Sequence, residues 1–310
     1  MMGAMRILHR TLAIAAASLF LLPAVPASAA YPGTAGAIAF ARDGNIHVRA
    51  ADGTLTQVTQ DGRSSWPRWS PDGTRLAYIH AGDLWIAGLL QDGTFDREQI
   101  THGAHAGGPA WSPDGNWIAY LDGSRLYRIR AGWQVNESDQ APVLLREVDP
   151  SPLAEAKAIA WSPDGRWISF PGGECTGIYD DCLTLLNLES NQEKAVATHS
   201  GGGNPFAGFS TTPAFTADGT RLLWTTQSEQ PPNGERGPVR IRWTALDGTG
   251  GGWLGEPGDA LPAPSPAGGD TLAVAPNPNG THWITVIRAG NTRETLTRGT
   301  QPDWQPRPGA

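Results

Sequence analysis

The pentapeptide Trp69-Ser70-Pro71-Asp72-Gly73 constrains the fold most, because the chain writes it three times. It returns unchanged as Trp111-Ser112-Pro113-Asp114-Gly115 and Trp161-Ser162-Pro163-Asp164-Gly165, and in altered form as Phe215-Thr216-Ala217-Asp218-Gly219. Each copy runs into a β-type stretch: Arg75-Leu76-Ala77-Tyr78-Ile79, Trp117-Ile118-Ala119-Tyr120-Leu121, Trp167-Ile168-Ser169-Phe170 and Arg221-Leu222-Leu223-Trp224. Ser first, Pro second and Gly fourth suit a type I turn closed by a left-handed glycine, so the unit is a hairpin. The aromatic before the turn lies on the incoming strand and fills the space between sheets. A hairpin repeated at near-regular spacing signals a repeat architecture.

Residues 1–29 read as a secretory signal peptide. Arg6 and Arg10 precede an apolar run over 11–22, and Ala27-Ser28-Ala29 offers an A-x-A cleavage site before Ala30. The run is shorter than the ~20 residues a bilayer span needs. A retained anchor is the alternative reading. The mature chain is therefore expected to be exported, periplasmic or extracellular, with no membrane span and as a monomer. The full chain has a formal net charge of −7, and loss of Arg6 and Arg10 takes it to −9. No polybasic cluster survives, which argues against nucleic acid as a partner.

Cys175 and Cys182 are the two cysteines. In an exported protein the expectation is a local disulfide. A metal pair or a reactive thiol would call for His partners or a basic setting, whereas Glu174, Asp180 and Asp181 flank the pair.

Strands predicted between the turns group into units. The first (Ala37-Ile38-Ala39-Phe40, Asn45 to Arg49, Leu55 to Thr59) has three strands, and the next four units each show four. In an eroded sixth, Pro262-Ala263-Pro264-Ser265-Pro266 stands where an aromatic copy is due. Gln301-Pro302-Asp303-Trp304-Gln305-Pro306 is one more first strand without a hairpin. Markers at Trp69, Trp111, Trp161, Phe215, Pro264 and Trp304 are spaced by 42, 50, 54, 49 and 40 residues. That spacing fits four-stranded propeller blades. The expectation is an all-β, six-bladed β-propeller over 36–307, its first blade completed by the segment around Trp304. Ring closure also protects the sheet edges.

The Trp-Ser-Pro-Asp-Gly hairpins resemble the PD40 (WD40-like) repeats of TolB-type propellers, with related repeats in prolyl-oligopeptidase-type peptidases. The resemblance covers about 36–307 and implies six blades. Two departures limit what it carries. TolB proteins add an N-terminal α/β domain that recruits partners, and the stretch between Ala30 and Ala37 has no room for it. The peptidases add a hydrolase domain with a G-x-S-x-G elbow, and that pentapeptide does not occur.

Candidate chemistry is sparse. Asp72, Asp114, Asp164 and Asp218 read as turn residues bonding nearby backbone N–H groups, not as ligands. Most tryptophans read as core, with Trp66, Trp133 and Trp253 near loops. His80, His102, His105 and His199, with Asp61, Asp149, Glu155 and Asp303, fall in loops expected to rim one end of the channel. They are the candidates for a metal site there, and solvated loop residues are the expected reading, with no metal and no cofactor. Gly250-Gly251-Gly252-Trp253-Leu254-Gly255 matches G-x-G-x-x-G, but Glu256-Pro257-Gly258 follows where a helix would have to open. Asn136 and Asn279 begin Asn-x-Ser/Thr sites that matter only in a eukaryotic source.

Two functions follow. One is a non-catalytic binding or scaffold module for a protein, peptide or envelope component. The other is a hydrolase or lyase at the channel mouth, with or without a metal. Convergence of the four histidines on one cavity separates them.

Overall fold

The structure, a computed structural model, describes residues 31–132, 141–148, 158–174, 181–199, 208–230, 235–277 and 279–309. The signal segment, Trp133, Asn136, Asp149, Glu155 and Cys175 lie outside them. The described residues form strands and turns without a helix, and no helix long and apolar enough to cross a membrane is present among them.

Six antiparallel sheets form the ring. Blade 1 has the order β25-β1-β2-β3, from β1 (Thr34–Arg42), β2 (Asn45–Arg49), β3 (Leu55–Gln57) and β25 (Thr300–Arg307). Blade 2 is β4 (Ser64–Trp69), β5 (Arg75–His80), β6 (Asp83–Leu89) and β7 (Phe95–Gln99). Blade 3 is β8 (Ala110–Trp111), β9 (Trp117–Asp122), β10 (Arg125–Arg130) and β11 (Val143–Glu147). Blade 4 is β12 (Ala160–Trp161), β13 (Trp167–Pro171), β14 (Asp181–Asn187) and β15 (Glu193–His199). Blade 5 is β16 (Gly208–Phe215), β17 (Arg221–Gln230), β19 (Arg240–Ala245) and β20 (Gly251–Leu254), with the short β18 (Glu235–Arg236) paired to β17. Blade 6 is β21 (Ala260–Pro264), β22 (Thr271–Pro276), β23 (His282–Ile287) and β24 (Arg293–Arg298).

The ring closes where the two ends of the described chain meet. β25 pairs antiparallel with β1, with Ile38 opposite Trp304 and Thr34 opposite Arg307. Side chains at alternate positions of β25 then staple it to its neighbours. Gln301 Oε1 accepts from the N–H of Trp66 at 2.8 Å, and Asp303 Oδ2 accepts from that of Trp69 at 2.7 Å. Gln305 accepts from the N–H of Ala37 at 3.0 Å and donates to the carbonyl of Gly73 at 2.7 Å.

The repeated turn works through its serine as well as its aspartate. Gly73 takes φ +68° and its N–H donates to Ser70 O at 2.9 Å. Ser70 Oγ donates to Asp72 Oδ1 at 2.5 Å and accepts from the Arg75 N–H at 2.9 Å, while Asp72 also accepts from the N–H of Thr74 at 3.0 Å. Asp114 and Asp164 repeat the pattern with Ser112 and Ser162, and Asp218 does so with Thr216. Burial alone would raise Asp72, Asp114 and Asp218, but these hydrogen bonds outweigh it and hold all three carboxyls below their ordinary range.

Between successive blades lie six apolar clusters, and five contain the marker aromatic of the following blade: Trp69, Trp111, Trp161, Phe215 and Trp304. The cluster between blades 5 and 6 has no such ring, because the marker there is Pro264; its buried members are Leu223, Ile241, Ala273 and Ile287.

Candidate functional site

Flat blades set around an axis leave a channel lined by their innermost strands, and here one position sets its bore. The residues just before the six markers, Arg68, Ala110, Ala160, Ala214, Ala263 and Asp303, all line a central cavity of about 70 Å³. Four alanines make it narrow, and the two charges sit on adjacent blades 2 and 1. Their strands bulge to present them. Trp66, Thr212, Leu261 and Gln301 take φ between +51° and +55°, each two residues before a channel position and followed by proline. At each of these positions the pairing slips register. Non-glycine residues with positive φ are strained, and their recurrence at one depth of one channel makes the bulge a built feature.

Asp303 is enclosed by protein on the channel wall. That desolvation pushes its carboxyl up to about 6, against the pull of Arg68 and of the Trp69 N–H. Enclosure likewise lowers Arg68, and Asp303 counters it. Arg68 donates to Pro67 O at 2.9 Å and lies 5.5 Å over the Trp66 ring.

The channel is occupied from the turn face by the chain itself. Gly33 N–H donates to the carbonyl of Pro266, in the sixth turn, at 3.3 Å. From there Tyr31 enters the cavity and its hydroxyl donates to Trp111 O of blade 3 at 2.8 Å. Burial raises this phenol well above its ordinary value, helped by the carboxylates of Asp303 and Asp114.

The four histidines stay apart. His80, at the end of β5, has Nδ1 3.2 Å from Ser64 Oγ and 3.3 Å from Asp61 Oδ2, with its ring edge-on to Trp85. His102 and His105 are exposed in the link from blade 2 to blade 3, where the His105 N–H donates to Asp122. His199 ends β15, with Nε2 2.9 Å from Ser210 Oγ and 3.2 Å from Thr226 Oγ1; burial lowers its pKa. Among the described residues, no three His, Cys, Asp or Glu side chains come together as a metal site.

Two Ser–His–Asp groupings do occur, and neither has nucleophile geometry. Ser64 and Asp61 face the same ring nitrogen of His80, whereas a triad sets serine and aspartate on opposite nitrogens. Ser210 is wholly buried, and Asp181 accepts from its backbone N–H at 2.8 Å. Sequence reasoning placed Asp303 in a rim loop; it stands on the channel wall, and Arg68 and Tyr31 were missed. The available signal was the position before each marker, which holds alanine in four blades and a charge in two.

The class these observations define is a six-bladed β-propeller with a plugged channel. It shares its fold with a protein from Agrobacterium tumefaciens provisionally described as TolB, at 19% identity and a TM-score of 0.62, covering 87% of this chain and 92% of that one. The β-propeller domain of Cps50 (Swd1) from Myceliophthora thermophila matches at 15% identity and a TM-score of 0.52, covering 88% and 91%. A puromycin-hydrolysing peptidase from Mycobacterium tuberculosis matches at 14% identity and a TM-score of 0.51, covering 86% of this chain and 47% of that one. No protein-family model and no curated protein sequence matches the chain. At these identities the likeness establishes a TolB-like propeller fold and nothing finer.

Proposed function

We propose that this chain is an exported, TolB-like propeller that acts as a non-catalytic binding module, holding an extended segment of a protein or peptide of the cell envelope at the channel. The observation that carries this reading is Tyr31: the chain just ahead of β1 already runs into the channel and hydrogen-bonds an innermost strand carbonyl through a side-chain hydroxyl. A peptide arriving from outside meets the same wall of alanines and prolines, the charges of Arg68 and Asp303 and the same carbonyl. The dispersal of the four histidines supports binding over hydrolysis, and the likeness to a peptidase extends to the fold alone. Cleavage after Ala29 fits this reading, since it leaves Tyr31 as the second residue of the mature chain.

The test is capture from an envelope extract, with mature wild-type protein and Tyr31→Ala side by side. A protein retained by wild type, and retained more strongly by the variant whose channel is emptied, supports the reading. Capture that ignores Tyr31→Ala, together with turnover in a panel of peptide, ester and glycoside substrates, would replace it with the hydrolase alternative.

A further inference from the structure

The clearest irregularity in the ring lies between blades 5 and 6, away from the channel axis. Arg75 and Arg221 are the two arginines that stand six residues after a marker. Arg75 shows what that position does when the next blade has its aromatic. Its guanidinium lies 4.7 Å over the Trp111 ring and donates to the carbonyls of Gly115 at 3.0 Å and Ala131 at 2.5 Å. The arginine thus clamps the tryptophan of the neighbouring blade. Arg221 occupies the same place on blade 5, but the next marker is Pro264, and no ring waits for it. It turns instead onto Trp243 of its own blade, 4.5 Å from the ring centroid, and stays exposed.

The missing ring leaves a space. A cleft of about 620 Å³ opens here, lined by Arg221, Leu223, Trp243, Leu254, Pro264 and Asp270 among others. That size lies within the range of ligand pockets, and the mix of apolar wall with a few polar groups is typical of them. Asp218 lines the cleft and is near enough to Arg221 to feel its charge, so a further anion gains little. A guanidinium has two flat faces, and Trp243 takes one. A neutral flat ring suits the other.

We infer that the cleft between blades 5 and 6 is a binding site for an aromatic side chain, indole or phenol, presented by a peptide or protein partner. The incoming ring stacks on the open face of Arg221 and fills the volume that a marker tryptophan fills elsewhere. This site does not depend on the channel reading, and either can fail without the other.

The test uses the full mature chain and N-acetyl-5-fluorotryptophanamide, observed by fluorine NMR. Saturable binding is expected, displaced by N-acetyltyrosinamide and not by N-acetylleucinamide. Arg221→Gln should weaken it about tenfold, the scale of a stacked cation–ring contact. Pro264→Trp should abolish it by filling the cleft from within, and Arg75→Gln, in the intact blade pair, should leave it unchanged. Arg221 is exposed, so its variant tests the site even if Pro264→Trp fails to fold. Absence of saturable binding, wild-type affinity in Arg221→Gln, or equal displacement by the leucine amide would overturn the inference.

Discussion

Replacing Asp303 by asparagine tests the electrostatics of the channel. In the fold this carboxyl is pushed up to about 6 from its ordinary 3.8, by enclosure first. A folded-state pKa above the unfolded one makes a contribution that is full below 3.8 and is lost as pH rises through about 6. The difference corresponds to about 3 kcal/mol between the two ends of that window. The substituted amide keeps an oxygen for the Trp69 N–H while removing the charge, so the variant should lack this dependence. The pull of Arg68 on the charged carboxylate is already contained in that value, so the loss of this counter-charge takes nothing further from the gain. The assay is equilibrium urea unfolding of both proteins at about pH 4 and about pH 8, with the slope of free energy against denaturant checked for constancy. The stability of Asp303→Asn relative to wild type should rise by about 2–3 kcal/mol from the acid to the alkaline condition, since a pH of about 4 already lies slightly above the unfolded value. Parallel curves for the two proteins would show that Asp303 is not desolvated as the channel geometry requires.

Four further outcomes are expected. Trp111→Ala, at 2% exposure between blades 2 and 3, should cost about 3–5 kcal/mol in the same unfolding assay, and it also frees Arg75. Ser112→Ala removes a donor to Asp114 and an acceptor for the Trp117 N–H, and should lower stability by about 1–3 kcal/mol. Because the turn hydrogen bonds hold Asp72, Asp114 and Asp218 below the ordinary range, their stabilisation is present above that range and lost as pH falls; replacing all three by asparagine should flatten the acid limb of a thermal-melt series. Cys175 and Cys182 are proposed to form a disulfide; intact mass of the exported protein should show two hydrogens lost, and reduction should lower stability by only ~1–2 kcal/mol because the loop is short.

Much of the fold was legible because turn chemistry and a marker aromatic recur in sequence. Pro302 and Pro306, which reproduce the pattern around Trp69, marked Trp304 as one more first strand, and the three-stranded first unit supplied the blade that lacked one. The channel was not legible in the same way. Arg68 and Asp303 stand 235 residues apart and share a wall only through ring closure. Tyr31 lies outside every repeat, so no periodicity points to its place. The bulges at Trp66, Thr212, Leu261 and Gln301 had a signal, the proline after each, but positive φ at a non-glycine residue runs against local preference and is imposed by the sheet around it. Arg221 reads like any strand arginine until Pro264 is set against the marker of the adjoining blade.

Ribosomes make this chain from its N-terminus, and β25 leaves after every other described strand. Until then β1 keeps one edge bare, and Gln301, Asp303 and Gln305 have not yet reached the backbone groups they fasten. A product that stops before Thr300 therefore carries every strand but the one that latches the circle, and is open to proteases and to edge-to-edge association. Closure of the ring thus waits for the last described strand to be made.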